Sequence, residues 1–251
     1  MTANGTGASD RLLTDFKRAG LVLPSLSTLV ALAILLALGT WQLQRKVWKE
    51  ALLRDIAQRA AQSPLDIGDQ LVAAPPMPYT RVRLVGRFLH DKERFWFADG
   101  RLGSGFHVFT PFEMAQGNIV WVNRGYIPAA LKNPATRAAA QVEGPVSVVG
   151  LVREAGERNS FTPANDVAHN VWYWRDLTAL NASAFTPEVK TAPVMVDLEA
   201  APVDKDGWPQ AGTALVSLPN RHLEYAVTWY GLAATLIGVF FAFARGRLRR
   251  S

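Results

Sequence analysis

The chain contains no cysteine among its 251 residues. Disulfide bonds, thiolate metal sites and cysteine nucleophiles are therefore excluded, and the composition suits an oxidising compartment without requiring one. Histidine is scarce as well, and the spacing of the four histidines is not typical of metal ligands. The sequence therefore does not predict a metal site built from several protein side chains.

The sequence also lacks the common catalytic and nucleotide-binding motifs. It contains no G-x-S-x-G elbow, no G-x-G-x-x-G fingerprint, no P-loop and no H-E-x-x-H pair. Gly103-Ser104-Gly105 is typical of a turn rather than of a nucleophile elbow. We therefore predict that the chain is not an enzyme, since an enzymatic site would have to be assembled from residues far apart in the sequence.

No basic run lies in the middle of the chain, although the formal net charge is +6. The basic residues cluster instead beside two apolar segments near the two ends. Basic flanks of this kind are typical of membrane-surface anchors. Nucleic-acid binding, which needs a basic patch on a folded domain, is not predicted.

The first apolar segment, Leu21–Gly39, carries no charge and is dominated by Leu, Ala, Val and Ile. Pro24 lies at its start, where a helix tolerates proline. We predict a first transmembrane helix here. A cleaved signal peptide is the alternative, because Ala37-Leu38-Gly39 has small residues at suitable spacing, but the apolar run is longer than a usual signal-peptide core.

The second apolar segment follows Arg221-His222 and extends from Tyr225 to Ala244. Its length corresponds to about 30 Å of helix, which matches the hydrocarbon thickness of a bilayer. Both segments carry small residues spaced by three or four, which favour close helix packing in lipid but are also common on lipid-facing surfaces. They are Ser27, Ala31, Ala33 and Ala37 in the first segment, and Gly231, Thr235, Gly238 and Ala242 in the second.

Between the two segments the pattern changes from helix to strand. No helix breaker follows Gly39 until Pro64, so we predict that the first helix continues as an amphipathic stretch to about Ala61, with Trp41 in the interfacial aromatic belt. Period-two alternation and turn residues then predict strands. The seven predicted strands are Thr80–Phe88, Glu93–Phe97, Gly105–Phe112, Asn118–Val122, Pro145–Arg153, Val171–Arg175 and Pro193–Leu198.

Two further stretches of the middle region are predicted as short helical elements or loops, namely Ala129–Val142 and Ala179–Phe185. Strands without regular helices between them favour an antiparallel sheet or partly closed barrel. The predicted fold class is thus membrane α+β, with two transmembrane helices flanking an antiparallel β-sheet or partly closed β-barrel domain.

We divide the chain into an N-terminal cytoplasmic tail (1–20), a first transmembrane helix (21–40), a periplasmic domain (41–219), a second transmembrane helix (220–244) and a basic cytoplasmic tail (245–251). Both ends lie on one side, since two spans separate them. Lysines and arginines near the helix ends number seven on each side. Charges in a long connecting domain orient a protein less than those in short tails, so the terminal arginines favour cytoplasmic ends.

His222 is the leading candidate for a functional residue. Helical spacing puts His222, Tyr225, Ala226 and Trp229 on one face. A histidine at the membrane surface with aromatic rings beside it can offer an axial ligand to a porphyrin. Four cations at the matching depth would meet the propionates: Arg221, Arg45, Lys46 and Lys49. The alternative is an ordinary aromatic belt with an interfacial histidine and basic residues that meet lipid headgroups.

In five segments, and in the order in which they occur, the chain resembles the surfeit locus protein 1 family of cytochrome c oxidase assembly factors. Each segment is weak evidence by itself, but all of them between two apolar helices are specific. The segments are Gly39-Thr40-Trp41-Gln42 with Arg45, Trp48 and Lys49; Tyr79 with Val85-Gly86-Arg87-Phe88; Gly105-Phe106-His107-Val108 with Thr110-Pro111; Val122-Asn123-Arg124-Gly125-Tyr126-Ile127-Pro128; and Asn220-Arg221-His222-Leu223-Glu224-Tyr225-Ala226-Val227-Thr228-Trp229.

The resemblance implies an integral inner-membrane factor for assembling haem–copper oxidase. It implies haem a as the cofactor, with oxidase subunit I and haem a synthase as partners. The family's haem-ligand histidine matches His222, and its Arg-Gly motif matches Arg124 and Gly125, which we interpret as a structural or partner-facing turn. Trp41 and Gln42 receive the same interpretation.

Two other functions remain open at this point. The first is a chaperone without a cofactor that holds apo-subunit I through its helices and periplasmic surface. The second is a periplasmic enzyme or sensor carried on two membrane anchors.

Overall fold

The computed structural model describes residues 20–100, 103–204, 206–212 and 220–250. The chain divides into two compact units. One unit combines both ends of the chain, Met1–Arg54 and Leu218–Ser251, and the other is Asp55–Ser217. The predicted tail 1–20, apart from Gly20, lies outside the described residues, as do Lys205 and Pro219.

The described chain contains four α-helices and seven β-strands. The helices are α1 (Val22–Ala60), α2 (Gln70–Ala73), α3 (Leu177–Ala184) and α4 (His222–Leu248). The strands are β1 (Leu65–Asp66), β2 (Arg81–Phe88), β3 (Arg94–Gly100), β4 (Gly103–Met114), β5 (Ile119–Pro128), β6 (Val146–Arg153) and β7 (Thr191–Leu198).

Helix α1 has 39 residues and no proline after its first turn. At 1.5 Å per residue it is about 58 Å long, roughly twice the thickness of a hydrocarbon core. Its polar half contains ion pairs one turn apart, Lys46–Glu50 at 2.7 Å and Asp55–Arg59 at 3.0 Å, which support a helix in water. The predicted continuation to about Ala61 is confirmed.

Helices α1 and α4 are both long and apolar enough to cross a membrane. Few of their residues are buried within the protein, and apolar side chains such as Leu23 and Phe241 are more than 60% exposed. A soluble protein would bury such surfaces, whereas lipid solvates them. The two helices therefore agree with the predicted membrane anchors.

The strands of the second unit form a barrel. Five of them close on themselves in the order β2-β6-β7-β5-β4, with β4 returning to β2, while β1 and β3 add to its edges. Closure requires β2 to pair with both β4 and β6. The strand changes from one partner to the other at Gly86, which is paired in register with Val146 of β6 and with Met114 of β4. A β-carbon at Gly86 would overlap the backbone of Glu113, so the residue's small size permits this close approach.

The predicted barrel is confirmed, with two differences in detail. The barrel closes completely, and β5 pairs with β7 in parallel while the other pairs within it are antiparallel. A parallel pair needs a crossover of at least a dozen residues. The long connection from Pro128 to Thr191, which contains β6 and α3, provides it.

The segment Val171–Arg175, predicted as a strand, forms only isolated bridges in the structure. Trp172 exchanges two backbone hydrogen bonds with β3, one with Phe95 and one with Phe97. The chain then turns away, because the Asp176 side chain accepts a hydrogen bond from Ala179 N and caps α3. The stretch predicted as Ala129–Val142 contains two 3₁₀ segments, Ala129–Leu131 and Pro134–Ala140.

Two apolar layers lie on the two faces of the barrel wall. The interior core includes Phe112, Val122 and Val196. A second cluster on the other face of the same strands packs Trp121 and Met195 against α3 and Trp172. Strand β5 is therefore buried on both faces, and its side chains alternate between the two layers.

Candidate functional site

His222 is the first residue of α4 and is half-buried. Its Nδ1 lies 2.7 Å from Oε1 of Gln42 on α1. An amide oxygen only accepts, so Nδ1 carries a proton in this contact and donates it. The neutral tautomer then leaves a lone pair on Nε2, which has no partner among the described residues. The two residues belong to one unit and are brought together from opposite ends of the chain.

The face of α4 that packs against α1 follows a spacing of three and four residues from His222. Ala226 and Ala233 are buried on it, and Tyr230 is half-buried. Trp229 is half-buried beside this face, whereas Tyr225 is 54% exposed. Of the aromatic residues predicted to lie with His222, Trp229 is thus nearer the packed surface than Tyr225.

The close approach of the two helices depends on Gly39. It is buried, and a β-carbon there would lie 2.9 Å from ring carbons of Tyr230. The Tyr230 hydroxyl lies 3.1 Å from the Thr40 hydroxyl. The contact is therefore a tyrosine ring resting on a glycine, one turn of α1 from the Gln42–His222 pair.

The predicted small-residue stripe of α4 does not form this contact. Gly231 and Gly238 are exposed, and neither has a neighbour within 4 Å of the position of a β-carbon. The interpretation of these glycines as ordinary lipid-facing residues agrees with their exposure.

The predicted basic residues surround this end of the helix pair. Gln42 and Lys49 share one face of α1 at helical spacing, and both are half-buried. Arg45 is exposed and stacks on the Trp48 ring at 4.0 Å, and Arg221 precedes α4 with its side chain exposed. Trp41 is 54% exposed. Cations thus lie within about two turns of His222 on both helices.

An apolar groove of about 520 Å³ lies between the two helices at membrane depth. Among the described residues that line it, Thr235 is the one polar residue, and its hydroxyl donates to the carbonyl of Gly231. The lining residues are Ala31, Ile34, Leu35, Leu232, Thr235, Leu236 and Val239. The groove can accept acyl chains or another apolar helix.

Arg124 and Gly125 belong to the barrel unit and not to the helix pair. Arg124 is fully buried on the interior side of β5 and forms an ion pair with Glu93 at 3.0 Å. Arg137 pairs with the same carboxylate at 2.6 Å, and His90 Nδ1 lies 3.2 Å from Arg124. Arg124 also donates to the carbonyls of Ala140 and Pro202. This buried cluster makes Arg124 a structural residue.

The electrostatics of this cluster favour the charged carboxylate. Burial alone would raise the pKa of Glu93, but hydrogen bonds from Arg137 and the charges of Arg137 and Arg124 lower it to about 2. Burial is also the main cause that lowers the pKa of Arg124 to about 10. The ion pair therefore persists at neutral pH.

Gly125 has φ of +120°, a conformation that only glycine adopts readily. A β-carbon there would also overlap the backbone of Gln210, which exchanges hydrogen bonds with Tyr126. Arg124 and Gly125 therefore do not form the predicted turn: both lie within β5, and the contacts of each position belong to the barrel.

A second polar cluster, not predicted from the sequence, lies on the opposite face of β5. Asp197 accepts from Asn123 Nδ2 at 3.0 Å and pairs with Arg153 and Arg175, each at 3.3 Å. The sequence signal that could have indicated this cluster is a charged residue inside an apolar strand, since Asp197 directly follows Val194-Met195-Val196. Arg124 was singled out through the family's Arg-Gly motif, but its partners Glu93 and Arg137 were too distant in sequence to assign.

His107 lies beside this second cluster, stacked near Trp96 at 5.5 Å. Burial is the main cause that lowers its pKa, and its Nδ1 is buried without a partner in the described part of the chain. Among the described residues no three His, Cys, Asp or Glu side chains come together as a metal site.

Comparison with known proteins agrees with the resemblance seen in the sequence. The SURF1 family matches residues 29–234. A surfeit locus protein 1 of Takifugu rubripes is 35% identical over 222 residues, which is 82% of this chain and 90% of that protein. The human surfeit locus protein 1 is 34% identical, covering 83% of this chain and 74% of its own length. A SURF1-like protein of Monosiga brevicollis is also 34% identical, over 85% of both chains.

The match extends from the first apolar helix into the second and includes the whole barrel. The chain is 35% identical to the Takifugu rubripes protein over 82% of its length. It also has two helices that are long and apolar enough to span a bilayer. The chain is therefore a membrane protein that belongs to the SURF1 family.

Proposed function

We propose that this protein is an integral membrane assembly factor for haem–copper cytochrome c oxidase. In this proposal it binds haem a as cargo through His222 and aids its insertion into, or stabilisation in, oxidase subunit I. Family membership supports the assembly role, because the surfeit locus protein 1 family that the sequence resembles is one of cytochrome c oxidase assembly factors. The protein would act by holding and transferring a cofactor, not as an enzyme.

The hydrogen bond between Gln42 and His222 is the observation that carries the haem proposal. An imidazole that donates from Nδ1 has its Nε2 lone pair available for iron, and an acceptor on the other ring nitrogen commonly orients a ligating histidine in this way. The residues present therefore fit a haem with one protein ligand. When bound, the haem supplies the iron and porphyrin that the oxidase requires.

The other predicted residues have supporting roles. Trp229, half-buried on α4, and Tyr225, exposed one turn earlier, offer aromatic rings near the histidine. Arg221, Arg45 and Lys49 offer cations for the two propionates at the polar end of the helix pair. These cations would also hold the anchors at the membrane surface.

The proposal includes a location and partners. We place the protein in a bacterial inner membrane with cytoplasmic termini and a periplasmic barrel. Subunit I receives the haem and haem a synthase supplies it.

The apolar groove on the helix pair favours a second candidate function. A chaperone without a cofactor would hold a transmembrane helix of apo-subunit I against this surface. This candidate needs no iron ligand at His222.

A visible absorption spectrum separates the two candidates. The full-length protein is purified in detergent from cells that make haem a, as wild type and as His222→Ala. The haem proposal expects a Soret band in wild type that is lost in the variant. Absence of a band in wild type, together with copurified subunit I, would favour the cofactor-free chaperone, and a band unaffected by His222→Ala would assign the haem to another ligand.

Gln42 provides a matched test of how His222 is held. Removing the hydrogen-bond partner of a ligating side chain typically lowers metal affinity about 10- to 100-fold. Gln42→Leu is therefore expected to lower haem occupancy, while Gln42→Glu, which keeps an acceptor, retains it. Gln44→Leu is the control, since Gln44 is an exposed glutamine on the same helix. Equal occupancy in Gln42→Leu and Gln44→Leu would remove Gln42 from the haem site.

A further inference from the structure

The barrel contains two clusters in which a single carboxylate meets two arginines. Glu93 lies between Arg124 and Arg137, and Asp197 lies between Arg153 and Arg175. Each cluster therefore carries one excess positive charge. The two differ in what surrounds the arginines.

The terminal guanidinium nitrogens of the first cluster are fully engaged. Both Nη atoms of Arg124 and both of Arg137 have hydrogen-bond partners, either Glu93, His90 or backbone carbonyls. The side chains of all three charged residues are at most 2% exposed. The protein itself thus uses all the Nη donors of this cluster, although Arg124 Nε is buried without a partner among the described residues.

The second cluster has donors left over. Among the described residues, Arg153 engages only Nε, and Arg175 engages only Nη2, both on Asp197. Arg175 Nε is buried without a partner in the same part of the chain. Burial lowers the pKa of Arg175, since desolvation outweighs the attraction of Asp197. The clusters differ in their terminal donors: both Nη atoms of Arg153 and Nη1 of Arg175 have no partner among the described residues, so they remain for an additional anion.

An open pocket of about 220 Å³ is lined by both arginines of this cluster. Arg153 and Arg175 line it together with Tyr79, Glu154 and the backbone of Gly156. The guanidinium of Arg153 stacks on the Tyr79 ring at 4.5 Å, and that of Arg175 lies over Trp96 at 4.8 Å. Stacking holds both planar groups in place before any ligand arrives, which reduces the entropy lost on binding.

Tyr79 is held in an unusual backbone conformation at the edge of this pocket. Its φ is +65°, in the left-handed region that a bulky residue rarely adopts. A hydrogen bond from Tyr79 N to Val152 O at 2.7 Å helps to hold it there. Such outliers occur preferentially at binding sites, where the surrounding structure maintains them for positioning.

The charges around the pocket select the type of anion. Arg153, Arg175 and Asp197 together carry +1, and Glu154, which also lines the pocket, brings the local formal charge to zero. Glu154 is exposed at the pocket and forms no ion pair among the described residues. Its carboxylate would repel a dianion such as phosphate more strongly than a monoanionic carboxylate.

We propose that the pocket formed by Arg153, Arg175 and Tyr79 binds a carboxylate. The carboxylate accepts hydrogen bonds from the unused guanidinium donors, in the planar geometry that arginine favours. It belongs either to a small free organic acid or to an acidic side chain of another protein. This site is separate from the proposed haem site and does not depend on it.

The test titrates the full-length protein in detergent with glutarate and with a hexaglutamate peptide. Glutarate binding is followed by saturation-transfer difference NMR and peptide binding by isothermal titration calorimetry. Saturable binding of either ligand supports the proposal. Binding of both shows that a carboxylate alone is sufficient for binding. Binding of the peptide alone identifies an acidic side chain of another protein as the source of the carboxylate. Failure of both to bind, or tighter binding of inorganic phosphate, would overturn it.

Variants with opposite expected effects keep the test specific. Arg153→Gln is expected to weaken binding at least tenfold, whereas Glu154→Gln is expected to tighten it. Arg83→Gln is the matched control, because Arg83 is an exposed barrel arginine paired with Asp66 at 3.2 Å and is expected to leave the affinity unchanged. Because Glu154 is exposed, its substitution does not threaten the fold, so unchanged affinity in Glu154→Gln would contradict the proposal even if Arg153→Gln failed to fold.

Discussion

Asn123 and Arg124 are neighbours in the chain, yet their side chains belong to different clusters. Alternation along β5 sends Arg124 to the interior with Glu93 and sends Asn123 to the outer face with Asp197. Each cluster satisfies a charge that would otherwise be buried alone. Removing a single partner from such a cluster is therefore more damaging than its small contact area suggests.

The pH dependence of stability is expected to report on Glu93. Its pKa is about 2 in the folded chain against 4.5 ordinarily, so the unfolded chain binds the proton more readily. The stabilisation is complete above pH 4.5 and is lost as the pH falls towards 2, by on the order of 3 kcal/mol. Denaturant unfolding of the full-length protein in detergent between pH 7 and pH 2 measures it.

Glu93→Gln is expected to be less stable at pH 7 and to lose much of this pH dependence. Asp91→Asn serves as the control, since Asp91 is 73% exposed and only loosely paired with Lys92 at 3.8 Å. A wild-type profile that matches Glu93→Gln would show that the carboxylate does not supply the acid sensitivity.

At the scale of elements, the pairing of α1 with α4 depends on Gly39. A side chain there would displace the Tyr230 ring, while Gly231 on α4 has open space. Gly39→Leu is therefore expected to separate the helices, and Gly231→Leu to leave them in place. Because the natural chain has no cysteine, spin labels attached through Leu43→Cys and Leu223→Cys report the interhelical distance without background.

Pulsed electron paramagnetic resonance in detergent gives the distance distribution for each variant. A longer or broader distribution in Gly39→Leu only is the expected result. Identical distributions in the two leucine variants would contradict the assigned packing surface.

Much of the element pattern was predictable from the sequence. Hydrophobic length predicted both long helices, and period-two alternation placed six of the seven predicted strands, because these signals are local. The segment Val171–Arg175 has the composition of a strand, but the cap at Asp176 redirects the chain before a ladder can extend. The parallel pairing of β5 with β7 has no local signature, since it depends on the crossover between them.

The candidate sites were predictable only where a single residue carried the signal. His222 could be singled out because it lies directly before an apolar segment, and Arg124 because it matches the family's Arg-Gly motif. Their partners could not, because Gln42 lies 180 positions from His222 and Glu93 lies 31 positions from Arg124. The Asp197 cluster was missed for the same reason.

For the whole molecule, orientation in the membrane is the property to test next. The proposed arrangement puts the barrel in the periplasm and the arginine-rich end of α4 in the cytoplasm. Phe161→Cys, at a side chain 96% exposed on the barrel unit, is expected to react with a membrane-impermeant maleimide in spheroplasts. Arg247→Cys, on the exposed end of α4, is expected to react only after lysis. The reverse result would invert the topology.

The division of the chain into units also sets an order of events during synthesis. Gln42 leaves the ribosome early, but His222 follows 180 residues later, after the entire barrel. At about 5 to 20 residues per second, that delay is roughly 10 to 40 s. The contact between them therefore forms only on a chain whose barrel has already been made. A prematurely terminated chain would keep α1 but lack His222, so it could not form this contact.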